Sequence, residues 1–184
     1  MGLIGFAILV AAVLYAVGVY NRLVRLRNAS ESAWSDIDVQ LKRRHDLVPN
    51  LVETVKGYAS HEASTFEAVT AARARATSAT GTEDRARAEG ELGNALRGLL
   101  AVAEAYPELK ANENFLSLQS ELSSLEDALQ NARRYFNAVV RDLNTACEVF
   151  PSNLVAQGFG ISKKEYFELD DAAERTTPPV RFGD

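Results

Sequence analysis

Residues 40 to 62, QLKRRHDLVPNLVETVKGYASHE, gather the groups from which an active site is usually made. They hold both histidines, three carboxylates, several cations and a proline. The histidines, His45 and His61, are sixteen positions apart, or about 24 Å along a straight helix. That spacing cannot give the i,i+4 pair of an H-E-x-x-H metal site. With a single cysteine, Cys147, the chain cannot supply an all-Cys/His zinc tetrad or an internal disulfide. No serine is placed against His and Asp as a nucleophile, and no Gly-rich strand-turn-helix is present to cradle phosphate. The expectation is no catalytic residue, cofactor, metal or small-molecule substrate. A formal charge of −5 offers no concentrated basic surface for nucleic acid.

What the polar residues do offer is alignment. Glu31, Asp38 and His45 recur every seven positions beside Trp34, Ile37 and Leu41. In a later segment Arg134 and Arg141, and likewise Asn137 and Asn144, repeat at the same interval. Polar groups on the margin of an apolar seam set register between helices rather than maximise stability. Asp38, His45, Arg134, Asn137, Arg141 and Asn144 are therefore read as a registration network, against the plainer reading of a solvated rim. Pro49 lacks an N–H, so an ideal helix through it leaves the His45 carbonyl unpaired and is expected to kink there.

The elements that would position these groups are helical. Apolar stations at Trp34, Ile37, Leu41, Val48, Leu51 or Val52, Val55, Tyr58 or Ala59, Phe66, Val69 and Ala76 have a helix period and predict a first rod from Asn28 to about Thr77, continuous or bent. The flanks between stations are charged, with Lys42, Arg43, Arg44, Asp46, Glu53 and Lys56. A second helix is expected from Thr82, with Thr82 capping and Glu83 and Asp84 complementing the dipole. Its face is Leu92, Leu96, Leu99, Val102 or Ala103, and Tyr106, and Gly90, Gly93 and Gly98 suggest close approach of another helix. The third runs from about Asn112 to Phe150 on a 3,4 rhythm from Phe115 through Leu129, Phe136 and Leu143 to Cys147 and Phe150. Cys147 is read as a small buried hydrophobe. Pro151 ends that helix, and PSNLVAQGFG folds back as a short one, with Leu154, Val155, Phe159 and Ile161 packing. Tyr166-Phe167 is expected to dock.

Ahead of the rods, Gly2 to Tyr20 is free of charge and spans about 28 Å as a helix, close to the hydrocarbon thickness of a bilayer. Without a basic n-region or an A-x-A site it reads as a retained anchor rather than a signal peptide. Arg22, Arg25 and Arg27 form a basic collar that stays on the cytoplasmic side, leaving a short N-terminus outside. The expected fold is all-α: a single transmembrane helix followed by an elongated antiparallel bundle of long helices. Residues 1–27 form the anchor and collar, 28–168 the cytoplasmic bundle and 169–184 a flexible polar tail. Unequal helix lengths leave part of the first stripe uncovered unless the third helix, the short C-terminal helix or another protomer covers it. Self-association is the favoured expectation, and a bend at Pro49 that lets the chain pack its own stripes is the competing one.

Three blocks make the chain similar to a known family. They are RNASESAWSDIDVQLKRRHDLVPNLVETVKGYASHE, AYPELKANENFLSLQSEL and ARRYFNAVVRDLNTACEVFPSNLVAQGFG, followed by YFELDDAAE. In this order they resemble the LemA family of bacterial membrane-anchored helical proteins over roughly residues 5–168. The resemblance implies a transmembrane helix with a very short outward end and a cytoplasmic antiparallel bundle, and carries no catalytic residue set. One departure is Tyr135-Phe136, where relatives often have an aromatic followed by tyrosine. The function expected is a non-enzymatic scaffold or adaptor at the inner membrane of a bacterium, as a homo-oligomer or with an integral-membrane protein partner in a phospholipid membrane. The alternative is an accessory subunit regulating a membrane protease or sensor pathway.

Overall fold

A computed structural model describes residues 2–168, all of whose regular elements are helices. They are α1 (Gly2–Lys56), α2 (Ala63–Ser78), α3 (Thr82–Glu104), α4 (Pro107–Lys110), α5 (Glu113–Glu148) and α6 (Ser152–Gly158). The tail expected at residues 169–184 lies outside the described residues. The chain resolves into two compact units, residues 2–44 with 122–166, and residues 45–121 with 167–168.

In the first unit, α1 begins as an apolar helix long enough to cross a membrane, with none of that stretch covered by protein. The same helix then becomes a packed one. Ala33, Ile37 and Leu41 are buried one turn apart, as the period requires, and Leu23 is buried about three turns before them. Their partner is the later part of α5, where Leu122, Leu125, Leu129, Phe136, Val140 and Leu143 are buried. Trp34 meets Phe136 with ring centroids 5.3 Å apart, Arg44 pairs with Glu126, and Leu23 shares a cluster with Leu143, Ala146, Ala156 and Ile161. Rising numbers on one helix face falling numbers on the other, so the two are antiparallel.

The second unit starts with the end of α1. Pro49 sits inside α1 and does not end it. The first rod does end well before Thr77, at Lys56, because Gly57 and Tyr58 form a turn and the helix restarts only at Ala63. Ala59 is buried inside this break, which is why the apolar period runs through it unbroken. Helices α2 and α3 form a hairpin whose turn uses Gly81 at φ 82°, a conformation that favours glycine. Gly81, not Thr82, occupies the cap position, and Thr82 is the first helical residue; Glu83 and Asp84 do fall in the first turn. A Cβ added at Gly90 or Gly98 would meet nothing within 4 Å, so neither marks a close approach. Pro107 opens α4 at a position where its missing N–H is harmless. Asn112 caps α5, its Oδ1 accepting from the Phe115 N–H at 3.0 Å while its Nδ2 donates to the Tyr58 hydroxyl. Phe167 is fully buried, whereas Tyr166 is exposed.

Candidate functional site: a buried polar clasp on His45

Cutting a proline into a packed helix creates one identifiable debt. The N–H that Pro49 lacks would have bonded to the carbonyl four residues back, at His45. That carbonyl is not left empty. Arg73, half-buried on α2, donates its Nε–H to the His45 oxygen at 2.6 Å. The side chain of the same residue turns to α3, where His45 Nε2 lies 2.6 Å from Glu89 Oε1. One residue on α1 thereby holds α2 through its backbone and α3 through its ring. Glu89 is only 1% exposed. A buried carboxylate without a partner is strongly unfavourable, so the clasp accepts one arrangement of three helices and penalises slippage. A proton must lie between Nε2 and Oε1, whichever atom carries it.

The first unit places its charged residue differently. Arg44, from the charged residues between the α1 stations, is buried, and its Nε lies 3.1 Å from Oε1 of Glu126, which is itself half-exposed. Asn144 fixes the extended segment after α6 by pairing both ends of its amide with the Lys164 backbone, donating to its carbonyl and accepting from its N–H, each at 2.9 Å. Lys164 also reaches Glu31 at 3.5 Å.

The residues expected to form one registration network are therefore distributed. His45 lies in the second unit with Glu89 and Arg73. Asp38, Arg134, Asn137, Arg141 and Asn144 lie in the first. There Asn144 makes the strap just described, exposed Arg134 donates to Asn131 one turn earlier, and exposed Arg141 stands beside Asp142 at 4.0 Å. Asp38 is exposed and Asn137 half-buried. His61 is exposed in the break after α1. Arg22, Arg25 and Arg27 are all exposed where α1 leaves its apolar stretch.

Cys147 is half-buried rather than fully enclosed, with Sγ 3.8 Å from the Ile161 carbonyl. Burial pushes its thiol above the ordinary range; the adjacent Glu148 charge adds to this, and Lys163 opposes it. Lys163 in turn is held above its usual value by its 2.8 Å hydrogen bond to Glu148.

Glu89, Arg73 and Glu126 were not singled out by sequence reasoning, yet a signal for Glu89 exists. The α3 stripe Leu92, Leu96, Leu99, Ala103 extends back by three to Glu89, and the α1 stripe from Ile37 and Leu41 to Val48 has an empty station at Arg44. A charged residue on a core station must be buried with a partner.

These features define an all-α, membrane-associated protein whose polar side chains align helices. The LemA family matches over residues 33–182, and the chain belongs to it. Among characterised relatives it is similar to the magnetosome protein MamQ of Magnetospirillum gryphiswaldense, at 26% identity over 84% of this chain and 66% of the relative. It is also similar to protein LemA of Metamycoplasma hominis, at 27% identity over 90% of this chain and 77% of the relative. The chain thus spans just under two thirds of the length of the MamQ relatives.

Proposed function

We propose that the chain is a non-enzymatic membrane scaffold or adaptor, held at the cytoplasmic face of a bacterial inner membrane and working as a self-associated assembly. The reading is carried by one observation: α1 passes without interruption from its uncovered apolar stretch into the buried stations Leu23, Ala33, Ile37 and Leu41. A helix that is both anchor and core element transmits position rigidly from the lipid to the packed helices, which suits a protein that presents a surface. Arg22, Arg25 and Arg27 just past the apolar stretch support a cytoplasmic placement.

Size analysis of the purified chain in mild detergent, with cross-linking in membranes beforehand, tests self-association. The expected result is a defined homo-oligomer. A monomer that enters a complex only when an integral-membrane partner is added overturns it and favours an accessory subunit. For orientation, Ser123→Cys on a Cys147→Ala background places an exposed thiol on α5. It should resist an impermeant thiol reagent in intact cells and react after lysis; prompt labelling in intact cells overturns the cytoplasmic placement.

A further inference from the structure

Most large apolar side chains past the anchor are covered, but the corner where α5 turns into α6 is not. Val149, Phe150, Leu154 and Phe159 fall within one short stretch, and the last three are 74%, 59% and 64% exposed. Leu154 was expected to pack and is exposed, Phe159 packs with one side only and leaves the rest of its ring open, and Phe150 leaves the α5 stripe at its end. The inner side of the corner is well fastened, since Ala156, Val155 and Ile161 pack with Leu23 and Leu143 and against Val19 and Tyr20. Phe159 lies on the Tyr20 ring, with centroids 4.5 Å apart.

Tyr20 closes the charge-free run of α1, so it marks the level at which that helix leaves hydrocarbon. Anything stacked on Tyr20 shares that level. We propose that the α5–α6 corner is a second membrane contact, with Phe150, Leu154 and Phe159 seated in the headgroup–acyl boundary of the bilayer that α1 crosses. The occupant is phospholipid, because Phe159 rests on Tyr20, at the end of the uncovered apolar stretch of α1 that itself faces lipid. Exposed Arg22 and Arg25 on the following turns meet lipid phosphates at the same depth. Two attachments on one unit, a span and a lateral wedge, fix the tilt and rotation of α1 as well as its depth, which a single helix cannot do.

The inference rests on α1 crossing the bilayer, and one experiment separates the two. On a Cys147→Ala background, the full chain is labelled with an environment-sensitive fluorophore at Val10→Cys, Phe150→Cys, Leu154→Cys or Asp127→Cys, each site being exposed so that the label displaces no core. It is reconstituted in vesicles of phosphatidylglycerol and phosphatidylethanolamine carrying a spin-label quencher near the headgroup or near the acyl terminus. Asp127 lies about 33 Å along α5 from Val149. Labels at 150 and 154 should lose fluorescence mainly to the headgroup-side quencher, the label at 10 mainly to the deep one, and the label at 127 to neither. If 150 and 154 behave like 127 while 10 is quenched, the corner does not touch lipid and the inference falls with the anchor intact. If 10 also escapes quenching, the anchor reading fails first. A blue shift at 150 and 154 without lipid quenching would assign the patch to protein and overturn the inference too.

Discussion

The two units meet the same difficulty, a charged residue at an apolar station, and resolve it in different ways. In the first, Arg44 points its guanidinium toward Glu126, which is half-exposed, so the charge is led out to the rim. In the second, Glu89 is enclosed and must be answered inside the protein by His45. Rim pairs are worth about 0–1 kcal/mol. Breaking a buried pair by removing one partner costs about 3–5 kcal/mol, because the other is stranded. The contrast teaches where alignment is enforced. The first unit relies on a long run of apolar stations with polar straps at its edge. The second, with three helices meeting at a proline, relies on one residue that bonds in two directions.

The largest effect should therefore come from Glu89→Ala, a loss of about 3–5 kcal/mol read by chemical unfolding in detergent, with hydrogen exchange rising first in α2 and α3. Replacing both partners, Glu89→Leu with His45→Leu, should recover much of that loss, since two well-packed apolar groups need no partner. A single Glu89→Ala variant as stable as the parent would remove the clasp from the account. Next is Arg73→Met, which keeps the apolar stem but leaves the His45 carbonyl without its donor. The expected loss is about 1–3 kcal/mol. In a Pro49→Ala background, where residue 49 supplies the missing N–H, the same Arg73→Met change should have a clearly smaller effect. Equal effects in both backgrounds would show that Arg73 is not answering the proline. Smaller again is Glu126→Ala, at about 1 kcal/mol or less, because solvent already screens that carboxylate. A loss as large as that of Glu89→Ala would erase the difference between the units.

Much of this architecture was written in the period of the apolar residues. Three rods joined by short connections would leave the first and third parallel, so the antiparallel pairing of α1 with α5 was not foreseen, but the boundaries of α3 and α5 to within a residue or two follow from that period. The break at 57–62 did not, because Ala59 is buried on the turn and so keeps the helical rhythm where there is no helix. The clasp was half-legible. Proline chemistry alone points to the His45 carbonyl, but the identity of its donor depends on how the α2–α3 hairpin folds back, which no local spacing encodes. Glu89 was hidden by its type: a carboxylate between Ala88 and Gly90 reads as surface until the stripe is extended through it. The exposed corner was misread for the converse reason, since Leu154 and Phe159 have the composition of core and only the direction of α6 separates them from it.

The smallest effect concerns Cys147, and it probes how firmly the edge of the first unit is closed. Burial raises the thiol, Glu148 raises it further and Lys163 lowers it. The thiolate is the reactive form. Alkylation of the folded chain should thus be slow at neutral pH and still be climbing where an ordinary exposed thiol has levelled off. Unfolding should remove the lag. Glu148→Gln withdraws the negative charge beside the thiol while keeping a side-chain oxygen that can accept from Lys163. Loss of that charge favours thiolate, so this variant should react modestly faster at neutral pH without loss of helicity. Because the desolvating contacts with the α6 region remain, the rate should stay below that of the unfolded chain. A Glu148→Gln rate equal to the unfolded one would mean that charge, not burial, controls this thiol, and that the edge packed around Leu23 and Ile161 opens freely in solution.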